Sequence, residues 1–276
     1  MLSTAALILI VTSKVVLGRD DRVSVKEEIY PLDMAKNSVD DRYEGCTETM
    51  ANLVKKEYLN KEICSGKIKF SINYTQKNKD NLTGNHLEAI SEYTGADICA
   101  RFNDNVRNGK QKYKNRTFEW YSLHFFLTEA IQILKRTQNE CHLTYRGTKL
   151  RFNENIKKNT EIRFGSFASS SLKRETTTMF GKESCFEIKT CYGANVTKYS
   201  RFNEEAEVLI PPYEKFKVTA IRKKGEKDAW CNTVFVLKSS GIKSNLNCAV
   251  ASVEPKKFSI KSAFNRLLNK LGIKKS

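Results

Sequence analysis

The apolar residues of this 276-residue chain change period once, near Leu143. Before that point they recur at helical spacing. Trp120, Leu123, Leu127, Ile131 and Leu134 form the clearest series, which predicts a helix over 119–136 with Lys135 and Arg136 suited to its C-terminal end. Residues 46–58 and 86–102 also read as helices, the second with Leu87, Ile90, Tyr93 and Ile98 turned inward. Beyond the change come short β-type runs at 143–145, 162–167, 185–191, 208–210, 216–222 and 233–238. Helices followed by strands, with no repeat and no low-complexity linker between them, predict a single α+β domain rather than a series of βαβ units. A hydrophobic content of 40% lets such a chain bury a core and argues against wholesale disorder.

The ends carry different information. Residues 1–18 hold one charged side chain, Lys14, around the apolar stretch 5–11 and finish on Gly18, which predicts a secretory signal peptide too short to span a membrane. Eight cysteines with no CxxC pair fit an oxidising compartment better than a zinc site. Four N-glycosylation sequons, at Asn73, Asn81, Asn115 and Asn195, point the same way. Extracellular or luminal residence is therefore expected. In that setting the net charge of +17 suits anionic glycans, membranes or acidic substrates, or plain solubility, rather than nucleic acid. Residues 256–276 contain seven Lys or Arg and no acidic residue, with Ile260, Ala263, Phe264, Leu267, Leu268 and Leu271 on one helical face. A basic amphipathic tail that could touch an anionic membrane or glycan is expected there, without the apolar run of a GPI signal.

Three segments carry chemistry. Glu205 and Glu207 lie two apart before an apolar run, so in an extended chain both carboxylates would share a face, with Ala206 turned away. Paired carboxylates can divide cation stabilisation and proton transfer, although an acidic solvated strand end has the same appearance. Arg146, followed by Gly147 at a strand end, could grip a diphosphate, the glycine letting a ligand approach the backbone. A strand at 163–168 runs into Ser169, Ser170 and Ser171, which are expected to open a helix with Ser171 as its N-cap. The histidines show no ligand spacing; His124 reads as a packing residue, His86 and His142 as surface residues, and no metal is expected. The absence of a GxSxG elbow leaves a serine hydrolase without support.

In this order the arginine, serine and Glu-x-Glu segments resemble the signature of the vertebrate arginine-specific ecto-mono-ADP-ribosyltransferases. The resemblance extends over 32–250, including Asp40-Asp41-Arg42-Tyr43-Glu44-Gly45-Cys46 and Phe186-Glu187-Ile188-Lys189-Thr190-Cys191. It implies a catalytic domain over 19–250, followed by the tail at 251–276, with an N-terminal helical part and two packed β-sheets forming a cleft for NAD. It also implies roles. Arg146 and Gly147 would hold the diphosphate side, Ser169 the nicotinamide ribose, and Phe180 the nicotinamide ring. Glu207 would be the catalytic carboxylate and Glu205 the group that selects arginine as acceptor. The implied reaction uses NAD as co-substrate, without a metal, on arginine-containing proteins, by a secreted monomer. Dominant NAD hydrolysis, or a silent binding protein on the same scaffold, are the alternatives. The resemblance further implies bridges Cys46–Cys248 and Cys141–Cys191. Of the cysteines left over, Cys64–Cys99 and Cys185–Cys231 is the pairing preferred.

Overall fold

Helix α6 (Tyr121–Thr137) is buried on nearly every side, with Leu123, His124, Phe125, Leu127, Ala130 and Ile131 all inaccessible to solvent. That burial makes it the central element rather than a surface helix with one apolar stripe. The computed structural model describes residues 28–70, 76–95 and 98–252. The expected signal peptide, the Asn73 sequon and the basic tail at 256–276 lie outside the described residues. Around α6 pack α1 (Thr47–Leu53), α2 (Leu59–Cys64), α3 (Gly84–Thr94), α4 (Cys99–Asn108) and α5 (Lys110–Lys114), with one π-helical turn, Val54–Tyr58, joining α1 to α2. The single helix expected over 86–102 is thus two, α3 and α4. His86, expected at the surface, is instead buried in the first turn of α3. Its Nδ1 accepts from Thr83 N at 2.9 Å and its Nε2 meets Glu129 Oε2 at 3.0 Å. It completes a capping box in the place usually taken by Glu or Gln.

The N-terminus of α6 has an unusual cap. Trp120, its N-cap residue, gives no side-chain hydrogen bond, and the amide of Ser122 donates instead to Oε1 of Glu62 at 2.9 Å. Glu62 is buried at the end of α2, and its Oε2 has no partner among the described residues. Burial pushes its pKa from 4.5 up to about 7, against the hydrogen bonds from Ser122. A carboxyl with a raised folded-state pKa stabilises most while protonated, so its contribution is full below about 4.5 and is lost as pH rises through about 7. Glu62→Gln keeps an acceptor for Ser122 and removes the charge. It should raise stability at pH 8 relative to pH 4.5 by on the order of 3 kcal/mol, read as a flatter profile of thermal unfolding against pH. An unchanged profile would show that Glu62 does not titrate in this range.

The strands are β1 (Ile29–Tyr30), β2 (His142–Thr148), β3 (Arg151–Phe152), β4 (Glu161–Ile162), β5 (Ala168–Ser171), β6 (Ser184–Thr190), β7 (Ala194–Asn195), β8 (Glu207–Ile210), β9 (Glu214–Lys223) and β10 (Thr233–Ile242). β1 and β3 pair with each other, and the rest form one ladder in the order β4-β9-β10-β6-β2-β5-β8-β7. The two sheets implied by the resemblance are halves of that ladder. They are joined between β2 and β5 at a single pair, Tyr145 with Ser171. One half faces the helical core through Phe167, Ala194 and Leu209. The other encloses its own core of Phe186, Ile188, Phe216, Val218 and Phe235. A junction with so little pairing leaves a gap between the halves, and the candidate site lies there.

The two ends of the described domain are tied together. Buried Asp40 meets Arg163 at 2.7 Å and accepts from the amides of Asn245 and Leu246, while Asp41 accepts from Cys248 N and from Tyr113 Oη. The Cys46–Cys248 bridge closes a loop with a sequence separation of 202. In the chain-entropy picture such a closure raises the free energy of the unfolded chain by about 5 kcal/mol. Cys141–Cys191 and Cys185–Cys231 also form as expected. Cys64–Cys99 does not form. Cys64 ends α2 at the surface, whereas Cys99 begins α4 and turns inward, its Sγ 3.5 Å from Asn103 Nδ2.

Candidate active site

Arg146 and Gly147 on β2, Ser169 on β5, Phe180, Glu205 and Glu207 line one cavity of about 240 Å³ at the junction of the two halves. Every site residue expected from the sequence is therefore in one place. How they arrive there differs from the sequence expectation. Glu205 is not on a strand: Asn203–Glu205 form a 3-10 turn, and β8 begins at Glu207. Between them Ala206 adopts the left-handed conformation, φ 47° and ψ 51°. That conformation costs a non-glycine residue roughly 1–2 kcal/mol. It bends the chain so that both carboxylates face the cavity, which the extended reading had assigned to strand alternation. Hydrogen bonds hold the bend: Ser171 Oγ donates to Glu205 O at 2.5 Å, and Leu172 N donates to Ala206 O at 3.0 Å.

The serine run has three separate tasks, and opening a helix is not among them. Helix α7 (Arg174–Thr177) starts later, with Lys173 at its N-cap, while Ser169 to Ser171 belong to β5. Ser169 approaches Glu207, Ser170 Oγ donates to Val208 O at 2.9 Å, and Ser171 fixes the Glu205 bend. The helix-opening expectation failed because Ser170 and Ser171 donate to strand and turn carbonyls and Ser169 turns to the Glu207 carboxylate, although Ser171 Oγ also accepts from Lys173 N at 2.9 Å.

Gly147 also has a different reason for being glycine. A Cβ there would stand 2.4 Å from Thr177 O and 2.5 Å from Gly181 O, so its space belongs to the protein and not to a ligand. Gly181, at φ 134°, would in turn drive a Cβ to within 2.3 Å of Lys149 N. The two glycines let the 3-10 turn Thr178–Phe180 lie flat against β2. Phe180 consequently stands at the cavity mouth with 49% of its surface exposed. An aromatic ring held out at a cleft is available to stack on a flat ligand.

Glu207 is buried, and Ser200 Oγ donates to its Oε2 at 2.9 Å. Burial raises its pKa from 4.5, while Ser169, Ser200 and the positive charge of Arg146 each pull it back. Glu205 is less enclosed; burial raises its pKa, followed by the negative charges of Glu207 and Glu204. Arg146 is fixed by donating from Nη1 to Ser169 O at 2.6 Å. One participant was missed in the sequence. Ser200 lies in a turn seven residues before Glu207, where a single serine carries no signal. Among the described residues no group of His, Cys, Asp or Glu could hold a metal ion.

A cleft between two sheet halves, with arginine on one wall and a buried carboxylate beside a second one on the other, has the charges to seat an anionic group beside a positive one, an arrangement suited to a transferase. The comparisons give that class a family. The family described as NAD:arginine ADP-ribosyltransferase matches residues 32–231, and the chain belongs to it. The T-cell ecto-ADP-ribosyltransferase 2 of Mus musculus is 36% identical over 234 residues, 79% of this chain and 77% of the relative. The NAD(P)(+)--arginine ADP-ribosyltransferase 1 of Gallus gallus is 32% identical over 203 residues, 68% of this chain but 64% of the relative's length. In three dimensions the crystal structure of the eucaryotic mono-ADP-ribosyltransferase ART2.2 superposes with a TM-score of 0.60 at 32% identity, covering 79% of this chain and 98% of that one. A variant of that enzyme has been solved in complex with NAD.

Proposed function

We propose that the protein transfers the ADP-ribose of NAD to arginine side chains of other proteins, outside the cell. The observation that carries this reading is the pair of unequal carboxylates in one cavity, Glu207 buried and hydrogen-bonded, Glu205 more open beside it. Names of the relatives support the substrate class, and three disulfides together with ecto-enzyme relatives support the extracellular setting.

In this reading NAD is the substrate and each wall has one task. Arg146, which lines the cavity, takes the diphosphate through its guanidinium fork. Phe180 stacks on the nicotinamide, and Ser169 orders the adjoining ribose. When the bond from nicotinamide to the anomeric carbon breaks, its electron pair leaves with nicotinamide and the ribose becomes oxocarbenium-like. Glu207, accepting from the ribose 2′-hydroxyl, stabilises that charge more than it stabilises intact NAD. Glu205 orients the incoming guanidinium and takes the proton released as its nitrogen bonds to the anomeric carbon.

Ser200 acts through Glu207. Ser200→Ala removes a hydrogen bond that holds the Glu207 pKa down, so the pKa rises further. Because the ionised form works, the acid limb of kcat/KM against pH should move to higher pH, with little change in rate well above it. An unmoved acid limb would remove Ser200 from the account.

The test uses purified protein, an arginine-containing acceptor protein and NAD labelled in its adenylate half. Label should become acceptor-bound as nicotinamide is released. Nicotinamide release without bound label would instead make the protein a glycohydrolase, and no turnover at all would make it a binding protein.

A further inference from the structure

We propose that Asn195 carries an N-linked glycan whose first sugars lie in the depression beside it, covering the end strand of the sheet. Asn195 closes β7, the last strand of the ladder. Its outer edge is paired with a side chain in place of another strand. Asn195 N donates to Gln138 Oε1 at 2.7 Å, and Gln138 Nε2 donates to Asn195 O at 3.0 Å. An edge so short, already occupied by one glutamine, would be shielded further by a bulky polar cover.

The side chain is set for that cover. Asn195 Oδ1 accepts from Thr197 N at 2.9 Å, while Nδ2, the atom that is glycosylated, has no hydrogen-bond partner among the described residues. The half-buried residue borders an open depression of about 520 Å³, shared with Thr137, Gln138, Asn139, Glu140 and His142. Thr137 Oγ1, Gln138 and His142 Nε2 already hydrogen-bond within the fold, and Asn139 and Glu140 add an amide and a carboxylate, groups that pair with sugar hydroxyls and an N-acetyl group.

A second observation is independent of the first. The hydroxyl of Thr197 is buried and has no hydrogen-bond partner among the described residues. An unpaired buried hydroxyl carries a desolvation cost that this fold does not offset, and valine would fill the same space without it. The sequon accounts for it, since glycosylation requires Ser or Thr two residues beyond the asparagine. Asn81 and Asn115 differ: both are exposed, so glycans there would project into solvent.

In the modification, the amide nitrogen loses one proton as it bonds to the anomeric carbon of the sugar. The diphosphate of a lipid-linked oligosaccharide donor departs with the bonding electrons. This happens on the unfolded chain, and the depression receives the sugars as β7 joins the sheet.

The test takes full-length protein secreted from eukaryotic cells. Glycopeptide mass spectrometry should find Asn195 occupied. Peptide-N-glycosidase should release this glycan at least about ten-fold more slowly from folded than from unfolded protein. An unmodified Asn195, or equal release from both states, overturns the proposal. The second measurement compares Thr197→Val with Thr197→Ser. Valine removes the unpaired hydroxyl and, on local grounds alone, would raise Tm. Under the proposal it removes the glycan as well and lowers Tm by about 2–4 °C, while serine, which keeps the sequon, leaves Tm close to the parent's. A rise in Tm for Thr197→Val would show that the glycan contributes nothing to the sheet edge.

Discussion

Glu207→Gln is expected to lower both arginine transfer and NAD hydrolysis by about 10²–10³-fold or more while NAD still binds. Glutamine has the same shape, keeps an oxygen for the Ser200 hydroxyl and stays within reach of the ribose. It lacks only the charge. The charge matters little to a bound ground state but meets a developing cation in the transition state, at a carboxylate that is itself buried. Loss of one such preorganised contact typically costs about 3 kcal/mol. Both reactions share the bond-breaking step, so both should fall together. Steady-state rates with and without agmatine, beside calorimetric titration with NAD, separate the two effects. Near-normal turnover would remove Glu207 from the chemistry.

Glu205→Gln should act differently, reducing transfer to agmatine by roughly 10²-fold while hydrolysis changes by only about a few-fold. The acceptor guanidinium has a pKa above about 12, so it arrives charged and must lose a proton as its nitrogen attacks. Glu205 is the more open carboxylate, and burial together with the charges of Glu207 and Glu204 raises its pKa. That shift makes it a better base near neutrality. Transfer should therefore rise with pH as Glu205 ionises, and the limb it governs should vanish in the glutamine variant. Parallel loss of transfer and hydrolysis would contradict a division of labour between the two carboxylates.

How much of this was readable in the sequence depends on how local the information was. The α6 series at three- and four-residue spacing fell in the helix that forms, because burial of an apolar helix leaves its period in the chain. The break between α3 and α4 left no comparable mark and was missed. Glu205 and Glu207 were expected to converge, and do, but through a left-handed Ala206 rather than strand pleating. No sequence rule places alanine in that conformation; hydrogen bonds from Ser171 and Leu172 hold it. Gly147 was noticed for the wrong reason, since the atoms that exclude its Cβ come from Thr177 and Gly181. Ser200 was invisible, because its role depends on a distance set by the whole fold. The Cys64–Cys99 pairing failed on the same ground: sequence counts cysteines but does not show which face of a helix each occupies.

The most direct test of the account is the structure of the Glu207→Gln protein with NAD bound. The prediction is a diphosphate on Arg146, a nicotinamide ring against Phe180, and a ribose 2′-hydroxyl within hydrogen-bonding distance of the side chain at position 207. Beside that ribose, Glu205 should face the side on which an arginine would enter. NAD bound outside the cavity between β2 and β8, or bound there with its nicotinamide ribose turned away from position 207, would contradict it.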